Sequence, residues 1–445
     1  MKVLKFGGTS VGSSESIRNV KEIIRSQDGT KMLVLSAMSG VTNSLVEISE
    51  ACKNDHNSLI SPNIEALRIK HFNLINELIP QDSLNTRVKQ HINDLLAELQ
   101  HHATQSWNEE INAKILTTGE TMLTFIFSRY LDFMGIKNTL LNSRDFMHIE
   151  NLENPDTGHV AELLNEILKN TEQTDILIAQ GFVRLNSKME VSTLKRGGSD
   201  YTATILGAAI RAEEIQIWTD ISGLHNNDPR YVENTHAISQ LSFEEAAELA
   251  YFGAKILHPQ TISPVIGKNI PVYLKNTFTP EAQGTCISSL TDRKGLKAIS
   301  AKDGITAIKI KSNRMLMAHG FLKKIFEVFD KYETAIDMIT TSEIAISLTI
   351  DDVRNLDNIL AELSNYGEVN VDFEHSIICV VGEGLIEDKS SSRIFEILKD
   401  VPVRMISYGG SNNNISLLVE TSHKIEVLQK LNDKLFTNRP EYNLQ

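Results

Sequence analysis

The short apolar run Val3–Phe6, interrupted only by Lys5, passes without a spacer into Gly7-Gly8-Thr9-Ser10, and this junction constrains the fold more than any other feature. So short and apolar a run reads as a buried strand. The glycine turn leads to the helical stretch Ser14–Ile24, the apolar run Lys31–Ser36 and the loop Ala37–Asn43. Strand, turn, helix and strand in that order make a βαβ unit. Helix spacing follows over residues 63–100, first in Ile64, Leu67, His71, Leu74 and Leu78, then in Val88, Ile92, Leu95 and Leu99. Strand signals return at Asp175–Ala179 and Ile215–Trp218. Ser242-Phe243-Glu244-Glu245 reads as a capping box opening a helix that ends before Pro259, with Phe243, Ala246, Ala250, Gly253 and Leu257 on one face. Residues 1–290 are thus expected to form one α/β domain with a largely parallel sheet.

Beyond about Leu290 the pattern changes. A strand at Ile305–Ile310, a helix marked by Leu322, Ile325, Phe326 and Phe329, strands at Ala335–Ile339 and Ile344–Ile350, and a helix near Val353–Leu363 make one set. The order recurs in Ile377–Val381, a helix at Ile394, Phe395 and Leu398, strands at Val403–Ser407 and Ile415–Val419, and a closing helix at Ile425, Leu428 and Leu435. Two copies of β-α-β-β-α are an internal duplication of α+β, ferredoxin-like type, expected at 300–370 and 371–445.

The net charge of −13 disfavours non-specific binding to nucleic acid or to a membrane surface, though it allows a local basic pocket for an anion. Cys52, Cys286 and Cys379 are far apart and form no CxxC, which fits a reducing compartment. The N-terminal apolar run is too short for a signal peptide, and no run of about 18 apolar residues follows, so a cytoplasmic location is expected. The thirteen histidines show no HExxH pattern, and no residues are assigned to a resident metal site.

Four glycine-bearing loops carry the chemistry: Lys5–Val11, Ser36–Asn43, Thr118-Gly119-Glu120 and Leu194–Thr202. Gly7-Gly8, between strand and helix, lets bare backbone N–H groups approach phosphate oxygens. GxxxxGK[ST], GxGxxG and the protein-kinase signature set are all missing. A lysine in a short buried strand needs a partner, which makes Lys5 the hardest residue to read as purely structural. Glu120 also fits a plain first-turn acid, Arg196 a solvated loop charge, and Asp200 an N-cap for a helix Tyr201–Ile210, the last compatible with a catalytic role.

KFGGTSV at Lys5–Val11, SAMSGVTN at Ser36–Asn43, RGGSDYTA at Arg196–Ala203, WTD-x-x-G at Trp218–Gly223, DPR at Asp228–Arg230 and YFGAKILHP at Tyr251–Pro259 resemble the aspartate kinase family. So do Met315–Phe329 and Asp337–Glu343, in the lysine-sensitive, monofunctional form. The resemblance covers essentially the whole chain. It implies an amino-acid-kinase fold followed by two ACT domains, with ATP and Mg²⁺ as cofactors and L-aspartate as substrate. It implies catalytic roles for Lys5 and Asp200, and substrate binding by Ser39, Thr42, Glu120 and Arg196. The nucleotide would be bound by Lys5, Gly7, Gly8, Asp220, His225, Arg230 and Lys255. An effector, lysine in preference to threonine, would be bound by Met315, Gly320, Phe321, Asp337, Thr341, Ser342 and Glu343. ACT domains pair, so a homodimer or a dimer of dimers is expected. Competing readings are a sister kinase acting on glutamate or acetylglutamate and a catalytically silent amino-acid sensor.

Four positions depart from the family pattern. Lys195 replaces a usual glycine, and a left-handed backbone there would cost about 1 kcal/mol. His225 replaces a usual tyrosine on the adenine side. Met317 and Ala318 replace a histidine and a serine in the effector loop.

Overall fold

The computed structural model describes residues 1–80, 83–195, 197–253, 259–290, 294–312, 319–388 and 391–436. Its contacts divide the chain into two compact units. The first holds Met1–Leu224, Ser239–Phe243 and Leu257–Leu290; the second holds His225–Ile238, Glu244–Ile256 and Thr291–Gln445. The stretch 1–290 expected to be one domain therefore lends two segments, 225–238 and 244–256, to the second unit.

In the first unit β1 (Lys2–Phe6), β2 (Lys31–Leu35), β3 (Thr139–Leu140), β4 (Ile176–Gln180), a short hairpin of β5 (Val183–Leu185) and β6 (Val191–Thr193), β7 (Ile215–Thr219), β8 (Gln240–Ser242), β9 (Val272–Asn276) and β10 (Thr285–Ser288) follow in order. Eight of them form one sheet in the order β3-β4-β2-β1-β7-β9-β10-β8, parallel throughout except between β9 and β10. β1 is central, and Val3, Leu4 and Phe6 have no exposed surface. The chain reaches β2 on one side of β1 and β7 on the other, so the direction of strand addition reverses there. A crevice for ligands opens at such a point, outside the carboxyl ends of the strands. The region 63–100 is two helices, Ile60–Leu78 and Ser83–Ala103, whose Ile64, Leu67, Leu74, Val88, Ile92, Leu96 and Leu99 join a single core with β1 and β2.

Two local expectations change. The helix expected at Tyr201–Ile210 runs Gly198–Ala209, with Gly197 at its N-cap in the left-handed region (φ 69°). Asp200 is consequently a first-turn residue and not the cap, because the glycine pair turns the chain earlier than the polar side chain would. The helix opened at Phe243 ends at Tyr251, short of Pro259; residues 254–258 lie outside the described ones.

The second unit carries an antiparallel six-stranded sheet built from β11 (Gly295–Lys311), β12 (Ile339–Thr341), β13 (Ala345–Ile350), β14 (Glu368–Glu383), β15 (Val403–Tyr408) and β16 (Asn414–Glu420), in the order β12-β13-β11-β14-β16-β15. The strand expected at Ala335–Ile339 starts only at Ile339; the Asp337 N–H instead reaches the Thr349 carbonyl at 2.9 Å. β11 has 17 residues and β14 has 16, so each extends over roughly 50–60 Å. That length serves two cores. Ile308 and Ile310 of β11 pack with Phe321, Ile325, Phe329 and Ile346, while Leu296 and Ile299 pack with Ile378, Val380, Ile415 and Leu428. The two copies are thus interlocked, the second taking the first half of β11 as its own outer strand. Periodicity marks elements but not the core they join, which is why consecutive boundaries were the sequence expectation. Among the described residues no helix is long and apolar enough to cross a membrane.

Lys297 of β11 and Glu245 form an ion pair at 3.0 Å, with side chains 1% and 0% exposed. Removing one member takes a charged partner from the other in the interior, which is costly. Lys297→Met is expected to destabilise the second unit by about 3–5 kcal/mol, read as a fall in the urea midpoint of the transition that reports it. A change under about 1 kcal/mol would show that the pair behaves as a solvated one.

Candidate functional site

Three loops meet where β1 and β2 end. The Gly7 N–H donates to the Trp218 carbonyl at 3.0 Å, the Ser36 N–H to the Phe6 carbonyl at 3.2 Å, and the Ser39 N–H to the Gly8 carbonyl at 3.1 Å. A Cβ on Gly8 would stand 3.1 Å from the Ala37 carbonyl oxygen. The glycine pair therefore lets two loops approach until their backbones bond.

Lys5 rises beside this turn, its Nζ 3.5 Å from where a Gly7 Cβ would stand. It pairs with Asp200 Oδ1 at 2.6 Å, and both side chains are mostly buried. Asp200 lies in the first turn of Gly198–Ala209, where the helix dipole favours an acid. The outcome is a cation held at a fixed point beside the glycine turn, a geometry suited to a phosphoryl group in transfer.

Glu120 comes from the third of the glycine-bearing stretches, which the structure makes the start of a helix and not a loop. It lies in the first turn of the helix Thr118–Phe133 and is buried. Its Oε1 accepts the Ala37 N–H at 3.2 Å, while Oε2 is buried with no partner among the described residues. Burial raises its pKa to about 8, against the lowering effect of its backbone hydrogen bonds. Gly119 makes the approach possible, since a Cβ there would lie 2.8 Å from the Ala37 Cβ. A carboxyl so placed can receive an ammonium group, which would exchange for the proton.

The remaining residues divide by location. Ser39 is exposed on the loop and Thr42 exposed in the first turn of the helix Val41–Lys53. Asp220 is exposed at the end of β7, and its carbonyl lies 3.5 Å from Asn276 Nδ2. Lys5, Gly7, Gly8, Ser39, Thr42, Glu120, Asp200 and Asp220 all belong to the first unit, whereas His225 and Arg230 belong to the second. His225 Nδ1 is 3.0 Å from Thr235 Oγ1, and Arg230 makes a fork to Asp228 at 2.6 and 3.0 Å. Arg196, Lys255 and Met315 lie outside the described residues. Two cations at the same edge escaped the sequence reading. Lys70 Nζ donates to the Ser39 carbonyl, and Lys275 of β9 stands 5.4 Å from the centre of the Trp218 ring. Nothing local in the sequence marks either; each is brought in by a neighbouring element.

In the second unit, Gly320 has φ 80° at the N-cap of the helix Phe321–Lys331, while the Phe321 ring packs in the core edge-to-face with Tyr366. Thr341, Ser342 and Glu343 are exposed at and just beyond the edge strand β12. Asp337 is the member of the set whose charged side chain is buried. Lys302 Nζ reaches its Oδ1 at 2.7 Å, and the Tyr251 hydroxyl donates to the same oxygen at 2.9 Å. Among the described residues no group of three or more His, Cys, Asp or Glu could hold a metal ion.

Two outcomes are expected here. Lys195 sits at φ 59°, so the left-handed backbone anticipated from its missing glycine is present. Lys195→Gly is expected to raise stability by up to about 1 kcal/mol, measured by denaturant unfolding; a loss would show that the lysine makes a compensating contact. For Glu120 the folded-state pKa lies above the unfolded one, so its contribution is full below about 4.5 and is lost as pH rises towards about 8. Glu120→Gln is expected to flatten the decline of Tm between pH 5 and about 8; a slope unchanged from wild type would place the titration elsewhere.

Comparisons with known proteins show the family of the chain. The model of the amino acid kinase family matches residues 1–276, and an ACT domain model matches residues 375–435. Lysine-sensitive aspartokinase 3 of Escherichia coli is 30% identical over 98% of this chain and 99% of its own. The chloroplastic aspartokinase 1 of Arabidopsis thaliana is 32% identical over 98% of this chain and 80% of its own. Among solved structures, E. coli aspartokinase III in complex with aspartate and ADP, described as the R-state, superposes with a TM-score of 0.85 at 30% identity, covering 98% of this chain and all of that one. The same enzyme with lysine and aspartate, described as the T-state, gives 0.80 at 30% identity over 98% and 99%.

Proposed function

Since the chain belongs to the aspartokinase family within the amino acid kinases, we propose that its residues transfer the γ-phosphoryl group of ATP to the side-chain carboxylate of L-aspartate in the following way. The observation that carries the reading is the Lys5–Asp200 pair, held beside Gly7 at the mouth of the central strand.

The nucleophile needs no base, because a carboxylate of pKa about 3.9 is already ionised at neutral pH. One of its oxygens forms the new bond to phosphorus as the bond to the bridging oxygen breaks, and that oxygen leaves with ADP. No proton moves. The barrier lies in bringing one anion to another, so the work is positioning and charge neutralisation. The Lys5 ammonium faces the oxygens of the group in transfer, and Asp200 keeps it there. The N–H groups of the Gly7-Gly8 turn that the sheet leaves free receive phosphate oxygens. Glu120 takes the α-ammonium of aspartate, giving up its proton, and Arg196 takes the α-carboxylate in a two-pronged grip. Ser39 and Thr42 border the substrate, while Asp220, His225, Arg230 and Lys255 serve the nucleotide. Magnesium would enter with the triphosphate, since such ions are usually held by one or two carboxylates and the phosphates themselves. Asp200 would be the carboxylate that holds it, and the ion would supply further neutralisation of phosphate charge. The interlocked second unit acts as the sensor of an end product, lysine rather than threonine, with Asp337 in the ammonium site. The exposed edge strand β12 suits pairing with a second copy of the chain.

Trapping of the acyl phosphate with hydroxylamine is expected to depend on ATP, Mg²⁺ and aspartate. Glutamate or acetylglutamate as the better substrate would move the chain to a sister activity, and no product at any aspartate concentration would make it a silent sensor. Lys5→Ala is expected to lower kcat at least about 100-fold with the circular dichroism spectrum unchanged; turnover at the wild-type rate would remove Lys5 from the mechanism. The KM for aspartate is expected to fall as pH rises towards about 8, where Glu120 loses its proton more readily, and to lose that dependence in Glu120→Gln.

A further inference from the structure

The cluster around Asp337 has an unusual charge balance. Its side chain is 1% exposed, yet only Oδ1 is used, receiving both Lys302 Nζ and the Tyr251 hydroxyl. Oδ2 is buried and has no partner among the described residues. Lys302 is shared, since its Nζ also lies 2.8 Å from Asp351, and its ammonium stands over the Tyr251 ring, 4.5 Å from the centre. One ammonium thus serves two carboxylates, and the buried one keeps a free oxygen. Burial raises the Asp337 pKa, and the negative Asp351 adds to that rise.

Backbone packing builds the cluster. Gly253 has φ 124°, and a Cβ there would fall 2.0 Å from the Ala301 carbonyl oxygen. Only a glycine lets the chain just after Tyr251 lie against β11 immediately before Lys302. The second copy offers a contrast. Arg404-Met405 holds the place that Asp337-Met338 holds in the first, with both methionines buried. Arg404 pairs with Asp372 of β14 at 2.7 Å, and both are substantially exposed. There one cation meets one anion and no buried oxygen is left over.

We propose that Lys302 is a tethered competitor for the ligand: its ammonium occupies the Asp337 subsite, and an amino acid bearing a side-chain ammonium binds by taking over that carboxylate. This rests on the reading of the first copy as the lysine-sensing module. Exchange of one ammonium for another conserves the cluster's charge and supplies the unused Oδ2 with a donor. Affinity for the ligand is therefore set by how firmly Lys302 and Tyr251 hold Asp337, in the way that any competing state reduces apparent affinity.

The test is calorimetric titration of the full-length protein with L-lysine, L-threonine and norleucine, which has lysine's straight carbon chain without the terminal ammonium. Wild type is expected to bind lysine, with norleucine at least tenfold weaker. Lys302→Met is expected to bind lysine at least about tenfold more tightly than wild type, and its Tm to rise more on adding lysine. Tyr251→Phe removes the lesser competitor and is expected to tighten binding about threefold; it keeps the inference testable should Lys302→Met fold poorly. A wild type that binds neither lysine nor threonine would overturn the sensing reading itself. A wild type that binds lysine while both variants bind it equally or more weakly would leave that reading standing and overturn the competition.

Discussion

A lysine ammonium inside a nearly dry strand is the constraint on which the catalytic unit depends. Lys5 lies in β1, between neighbours with no exposed surface, and is held by Asp200 at 2.6 Å. The pair demands that the first turn of Gly198–Ala209 reach the end of the central strand, which the left-handed Gly197 arranges. It also demands space, which Gly7 leaves by having no side chain. In the proposed mechanism this charge faces the phosphoryl group in transfer, with Asp200 holding it in place.

Glu120 shows the same economy with the opposite sign. A buried carboxyl that keeps its proton until about pH 8 is a poor structural element, because it weakens the fold as pH rises. As a receiver for an ammonium group it is well prepared, since the incoming charge repays the desolvation already imposed. In the proposed mechanism Lys5 and Glu120 thus serve opposite charges, the phosphoryl group in transfer and the α-ammonium of aspartate.

The second unit solves a different problem. Two small modules that each lacked a strand would be weak alone, and sharing β11 and β14 joins their cores into one structure. The shared strands also make the copies unequal. Lys302, near the middle of β11, belongs structurally to both and chemically to the first, where Asp337 waits with one free oxygen. The matching position in the second copy is Arg404, which makes a balanced, exposed pair with Asp372.

Local sequence determined much of this. The apolar run before Gly7-Gly8, the helix periods of Ile64–Leu78 and Val88–Leu99, and the alternation at Ile344–Ile350 dictated elements and their types, because burial on one face or two leaves a period in the chain. Of the motif residues, Lys5 stood out for a related reason, because a lysine in a buried strand is costly without a partner; the roles expected of Glu120 and Asp200 came from the family resemblance. What the sequence left open was every fact that depends on which elements meet. The sharing of Lys302 between Asp337 and Asp351, the free Oδ2, the arrival of Lys70 and Lys275, and the interlocking of the two copies rest on contacts between residues distant in sequence. Such contacts are selected by packing of the whole core and leave no period in the chain, so the tertiary structure alone decided them.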